Sequence, residues 1–186
     1  MDYPTVFDLI AKISREAGAR LILIGGFAVN AYGFTRNTLD VDFLIVEEDY
    51  HKLKGLFLAQ GYEETVHTDI FVKQSHKDRS AMPIDLLFVD RDTFESIWRS
   101  SGEATVSGHV FKTPSLLHLI ALKLHAIKTG SKDRAWKDLP DIIRLVIANR
   151  INVESSDFVE ICKKFGPAGI QQKIKEASCE DSDGRA

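Results

Sequence analysis

The chain has 186 residues, 44% hydrophobic and 27% charged, which supplies a buried core for one large domain or for a domain with a helical extension. Its formal net charge of -3 excludes a whole-chain basic field, and with it strong non-specific nucleic-acid binding, while leaving room for a local basic patch. The acidic start MDYPTVFDL is unlike a signal peptide, no run approaches the roughly 20 apolar residues of a membrane span, and Cys162 and Cys179 suggest neither a disulfide nor a metal site, so a reduced, cytoplasmic protein without membrane partners is expected.

Residues 5–17 place Val6, Leu9, Ile10 and Ile13 at helical spacing, and Gly18 closes that helix. Residues 21–24 read as a short buried strand, 27–32 as a short helix stopped by Gly33, 36–38 as a polar turn and 41–46 as a second strand. A helix is expected over 50–58, then strands over 70–72 and 84–89 separated by a polar loop containing 74–80. Residues 94–98 read as a short helix and 109–112 as a further strand. Beyond Pro114 the pattern turns helical, over 116–127, 139–148 and 157–165. The predicted fold class is α/β (α+β): a mixed sheet of about five strands flanked by helices, followed by a C-terminal helical part. This divides the chain into a core over 1–112, a helical region over 113–177 and a disordered tail over 178–186, with a ligand expected in the cleft between the two halves.

The most informative residues are Asp40 and Asp42. On a strand, residues i and i+2 share a face, about 6.6 Å apart along the backbone. Val41, Phe43 and Ile45 give that strand an apolar side, and two like charges on the other side repel unless a cation neutralises them. Paired carboxylates suit a hard ion such as Mg²⁺, which takes a few oxygens together with substrate phosphates. Gly25 and Gly26 stand between an apolar strand and a helix, where bare backbone can approach phosphate oxygens. Asp85 interrupts the apolar run 83–89, and a buried aspartate is costly unless it is paired, hydrogen-bonded or bound to metal; an edge-strand residue facing water is the alternative. Asp90 and Asp92 read as turn and cap residues. Metal and phosphate machinery in one segment points to chemistry on a nucleoside triphosphate.

The pattern Gly25-Gly26, then Arg36-x-Thr38-x-Asp40-x-Asp42, then Asp85 in a later strand, resembles the nucleotidyltransferase superfamily with the polymerase-beta-like fold. The resemblance runs over residues 20–145 and is strongest to small bacterial Gly-Gly members, the toxins of abortive-infection systems and the antibiotic-modifying nucleotidyltransferases. It implies that Gly25 and Gly26 hold the triphosphate, that Asp40 and Asp42 bind two Mg²⁺ ions, and that Asp85 ligates the catalytic metal and accepts the acceptor hydroxyl's proton. Many such relatives carry Gly-Ser at the glycine pair, so a serine hydroxyl contact to phosphate is missing here. Arg36 either contacts the triphosphate, braces the carboxylates or makes surface contacts only.

Lys123 shares a helix face with Leu119, Ile120 and Ile127, so it either snorkels to water or points into a cleft. In the resemblance a helix lysine at this place reaches the β- and γ-phosphates. Asp138 and Asp141 read as an N-cap and an N3 acid with Pro140 in the first turn, leaving Lys132, Arg134 and Lys137 as contacts for phosphates or an acceptor, or as a solvated loop.

The implied reaction is transfer of a nucleoside monophosphate from an NTP to a hydroxyl, with release of pyrophosphate. The acceptor is an RNA, a protein or a small hydroxylated molecule such as an aminoglycoside or a lincosamide. A basic cluster of Lys123, Lys128, Lys132, Arg134 and Lys137 favours RNA, the net charge of -3 a cationic drug, and the toxin-like relatives make a toxin–antitoxin setting a candidate. A non-catalytic nucleotide- or partner-binding module that retains the fold is the competing reading.

Overall fold

The computed structural model describes residues 3–130 and 132–183, with side-chain detail at 3–130 and 135–179. It divides into two compact units, one of Met1–Ala31 and Arg36–Pro114 and the other of Tyr32–Thr35 and Ser115–Ala186.

In the first unit, helix α1 (Val6–Ala17) starts at a reciprocal cap: Asp8 N donates to Thr5 Oγ1 at 3.2 Å, and Thr5 N donates to Asp8 Oδ2 at 2.8 Å. It ends at Gly18 in the left-handed region and buries Val6, Leu9, Ile10 and Ile13, the stripe expected from spacing. Strand β1 (Ile22–Leu23), helix α2 (Gly25–Ala31) and strand β2 (Val41–Ile45) follow. Helix α3 (Glu47–Ala59) begins earlier than its apolar pattern, because Glu47, Glu48 and Asp49 supply an acidic first turn that complements the helix dipole. Then come β3 (Tyr62–Thr68), β4 (Phe71–His76), β5 (Ile84–Phe88), α4 (Arg91–Arg99), β6 (Gly102–Val106) and β7 (His109–Thr113).

The described strands form one mixed sheet of seven, in the order β3-β4-β5-β2-β1-β7-β6. Strand β2 lies between β1, antiparallel, and β5, parallel. The two strands missing from the sequence reading are the two edges. Tyr62–Thr68 is mostly exposed and carries Glu63 and Glu64, and Gly102–Val106 buries little beyond Ala104, so neither shows apolar alternation. Strand β4 also runs on through residues read as loop, since Gln74 is buried and donates to Tyr50 Oη at 3.1 Å. A core of Leu9, Ile10, Leu23, Phe43, Ile45, Tyr50, Leu53 and Leu86 lies against the sheet, with Phe7 packed edge-on to Phe27 at 4.8 Å between ring centres. Thr113 Oγ1 donates to the Leu23 carbonyl and ties β7 to β1.

The second unit holds α5 (Leu116–Thr129), α6 (Lys132–Ala148), α7 (Ser156–Phe165) and α8 (Ile170–Asp183). Ser115 and Ser155 cap α5 and α7. The segment Tyr32–Thr35 joins this unit: Asn149 Nδ2 donates to the Tyr32 carbonyl, and the Arg144 guanidinium lies 4.9 Å from the Phe34 ring centre. Helix α8 takes in residues 178–183 of the expected 178–186 tail; residues 184–186 lie outside those described.

Helix α6 corrects one expectation. It opens at Lys132 rather than beside Asp138, so Pro140 stands inside the helix and Asp138 and Asp141 are not cap residues. Their carboxylates instead face Lys123 across α5 and α6. Among the described residues, no helix is long and apolar enough to cross a membrane.

Candidate active site

Strand pairing assembles the carboxylates. In the parallel β2–β5 ladder Asp42 is in register with Asp85, so both side chains leave the sheet at one level. Asp40 is two residues before Asp42, on the same face. Ligand oxygens of Asp40, Asp42 and Asp85 all lie within 4.8 Å of one another, and the three residues are half-buried. An all-oxygen set of this kind fits a hard divalent cation.

The glycine pair at the start of α2 is held against this group. Ile24 N donates to the Asp42 carbonyl at 2.9 Å, which brings Gly25 alongside Asp42. Gly25 has φ +62°, and a Cβ there would lie 1.9 Å from Asp42 Oδ2. Only a residue without a side chain lets the carboxylate take up its position. A Cβ at Gly26 would lie 2.6 Å from Thr38 Oγ1 and 3.2 Å from a guanidinium nitrogen of Arg36. Thr38 therefore fills the space that a serine at position 26 would need, and its hydroxyl lies 3.2 Å from both the carbonyl and Oδ1 of Asp40. Asn30 closes the connecting loop, accepting from Arg36 N at 3.0 Å and donating to the Arg36 carbonyl at 3.1 Å. The Arg36 guanidinium donates to the Asn37 carbonyl at 3.2 Å.

One neighbour of the carboxylates was not singled out from the sequence. Lys73 on β4 is in register with Asp85, its ammonium 3.1 Å from Asp85 Oδ1 and 3.5 Å from Oδ2. The signal available is slight: Lys73 shares a strand face with Phe71 and Ser75 and alternates with Val72 and Gln74, but strand register cannot be read from one chain.

The basic residues expected on the helices stand in the second unit. Lys123 does not snorkel: its side chain is 8% exposed, and Nζ donates to Asp138 Oδ1 at 2.9 Å and Asp141 Oδ2 at 2.7 Å. Lys128 donates to the Lys164 carbonyl, Lys137 is exposed on α6, and the side chains of Lys132 and Arg134 lie outside those described.

A cavity of about 640 Å³ in the first unit lies away from the carboxylates, beside α1 and the start of β7. Of the basic side chains lining it, Arg20 is paired with Glu95, His109 with Asp8 and Lys112 with Glu103. Its cations are already largely matched by the protein's own carboxylates, so the Asp40–Asp42–Asp85 group, not this cavity, is the candidate active site.

The architecture is that of known enzymes. The crystal structure of ANT(2")-Ia in complex with adenylyl-2"-tobramycin superposes with a TM-score of 0.57 at 17% identity, covering 97% of each chain. The solution structure of the same antibiotic-resistance factor gives 0.56 at 16% identity, over 95% of this chain and 89% of that one. The lincomycin-bound lincosamide antibiotic adenylyltransferase LnuA gives 0.54 at 16% identity, over 75% of this chain and 93% of that one. No family model and no curated protein matches the sequence. The chain shares the fold of these proteins.

Proposed function

We propose that the protein is a metal-dependent nucleotidyltransferase, moving a nucleoside monophosphate from an NTP to a hydroxyl of its acceptor and releasing pyrophosphate. The observation that carries this reading is the convergence of Asp40, Asp42 and Asp85 within 4.8 Å beside a glycine whose backbone touches Asp42. Asp40 and Asp42 would hold two Mg²⁺ ions and Asp85 would complete the set at the catalytic ion. When bound, such ions neutralise charge on the attacking and leaving oxygens of an in-line displacement. Asp85 takes the proton of the acceptor hydroxyl as its oxygen bonds to the α-phosphorus and the bond to the pyrophosphate oxygen breaks. Gly25 and Gly26 present backbone to the triphosphate, with Arg36 beside Gly26 supplying positive charge.

ANT(2")-Ia is found with adenylyl-2"-tobramycin and LnuA with lincomycin, which makes small hydroxylated antibiotics the first acceptors to try, followed by RNA and protein. The test is incubation of the purified protein with Mg²⁺, each labelled NTP and a panel of these acceptors, with Asp42→Asn as control. Label transfer and pyrophosphate release that vanish in Asp42→Asn are expected. Full turnover by Asp42→Asn would sink the assignment. Asp42-dependent NTP binding with no transfer to any acceptor would favour the non-catalytic module.

A further inference from the structure

The charge around the three aspartates is not theirs alone. Three carboxylates and the Lys73 ammonium sum formally to -2, which a single divalent ion balances. Two divalent ions would leave the group at +2, an unfavourable excess in a half-buried site unless an anion arrives with them. A triphosphate is such an anion. The side chain of Asp85 is 14% exposed and that of Lys73 32%, so water screens this ion pair only in part. The ammonium stands at the Asp85 end of the group, and the Arg36 guanidinium packs against Gly26.

We propose that Lys73 is a positioning residue that holds Asp85 in the nucleotide-free protein and restricts it to one divalent ion, bound by Asp40 and Asp42, so that loading of the Asp85 corner depends on nucleotide. This rests on the metal-site reading above. The triphosphate supplies the negative charge that lets Asp85 exchange the ammonium for a second ion. Lys73 thereby keeps the complete metal set from forming without substrate. It touches neither substrate nor reacting atoms in this role and acts through Asp85.

The competing account is an ordinary cross-strand pair that only fastens β4 to β5. The sheet contains a control for it: Lys112 and Glu103 face each other in register across β6 and β7, with 3.1 Å between ammonium and carboxylate. Mn²⁺ binding to the nucleotide-free full chain, followed by electron paramagnetic resonance and calorimetry, separates the accounts. Lys73→Met should bind Mn²⁺ more tightly by about tenfold or more and add a second site, since a like charge beside the ion is removed. Lys73→Arg, which keeps the charge, and Lys112→Met should stay at the wild-type affinity and a single site. Unchanged Mn²⁺ affinity and stoichiometry in Lys73→Met, with Asp42-dependent binding in the wild type, would overturn the role of Lys73 and leave the metal site standing. Absence of Asp42-dependent Mn²⁺ binding in both wild type and Lys73→Met would overturn both. Thermal unfolding of each variant confirms that it is folded, and Lys73→Gln gives a second neutral replacement if Lys73→Met is not.

Discussion

Gly25 and Asp42 are packed backbone against carboxylate, so tightly that a methyl group on Gly25 would overlap Asp42 Oδ2 at 1.9 Å. Gly25→Ala must therefore move the carboxylate as well as strain a backbone at φ +62°, which alone costs about 1–2 kcal/mol. The expected result is a loss of at least that stability in chemical denaturation, together with loss of Mn²⁺ binding. Wild-type values for both would mean that the turn does not support Asp42.

At the neighbouring glycine, Thr38 holds the space of a side chain at position 26, with Oγ1 at 2.6 Å and Cβ at 2.7 Å from it. Gly26→Ser should cost about 1–3 kcal/mol by overpacking. In the Thr38→Gly background the same substitution should cost much less, a coupling that a double-mutant cycle measures. Strictly additive effects would show that the two positions do not compete.

Lys123 gives the two buried carboxylates of Asp138 and Asp141 their ammonium. Lys123→Met should destabilise the protein by about 3–5 kcal/mol, the usual result of leaving a buried charge without its partner. Adding Asp138→Asn and Asp141→Asn should restore much of the loss in urea unfolding. A small effect of Lys123→Met would return the lysine to the list of phosphate contacts.

Glu64 binds strand β3 to helix α3. Burial alone would raise its carboxyl, but hydrogen bonds from Lys54, the Tyr50 hydroxyl and His67 outweigh this and hold it at about 2, below its ordinary 4.5. A lowered carboxylate contributes stability above the unfolded value of 4.5 and loses it as pH falls toward 2. Wild type should thus exceed Glu64→Gln in urea midpoint at pH 7, and the gap should narrow from pH 4.5 downward. A gap independent of pH would argue against this network.

The two cysteines should differ in reactivity. Burial pushes the Cys162 thiol up to about 11, while Cys179 is exposed. One thiol is expected to react rapidly with an aromatic disulfide reagent at pH 8 and the second only in denaturant. Two fast thiols in the native protein would contradict the burial of Cys162.

Local pattern was enough to find α1 and the aspartate strand, because each couples an apolar period to a residue type with a narrow use; the glycine pair was placed between strand and helix, whereas it forms the first two residues of α2. Asp85 was legible for the same reason, as a charge in an apolar run that turns out to be in register with Asp42. Other features depended on partners distant in sequence. The edge strands have few apolar contacts to advertise them, and Pro140 suggested a helix start although α6 continues through it. Lys123 looked free to act because the carboxylates facing it lie on the next helix. Lys73 was hidden by strand register, and the apparent gap left by a missing serine is filled from Thr38, in the loop beyond α2.

The outer strand β3 shifts register against β4 between Glu64 and Val66, and it carries Glu63, Glu64 and His67 along a largely exposed backbone. An irregular, charged border is a poor template for another chain's strand. A second copy therefore finds no flat margin at which to continue the sheet there, which keeps protein synthesised at high concentration from growing into strand-linked aggregates along that side.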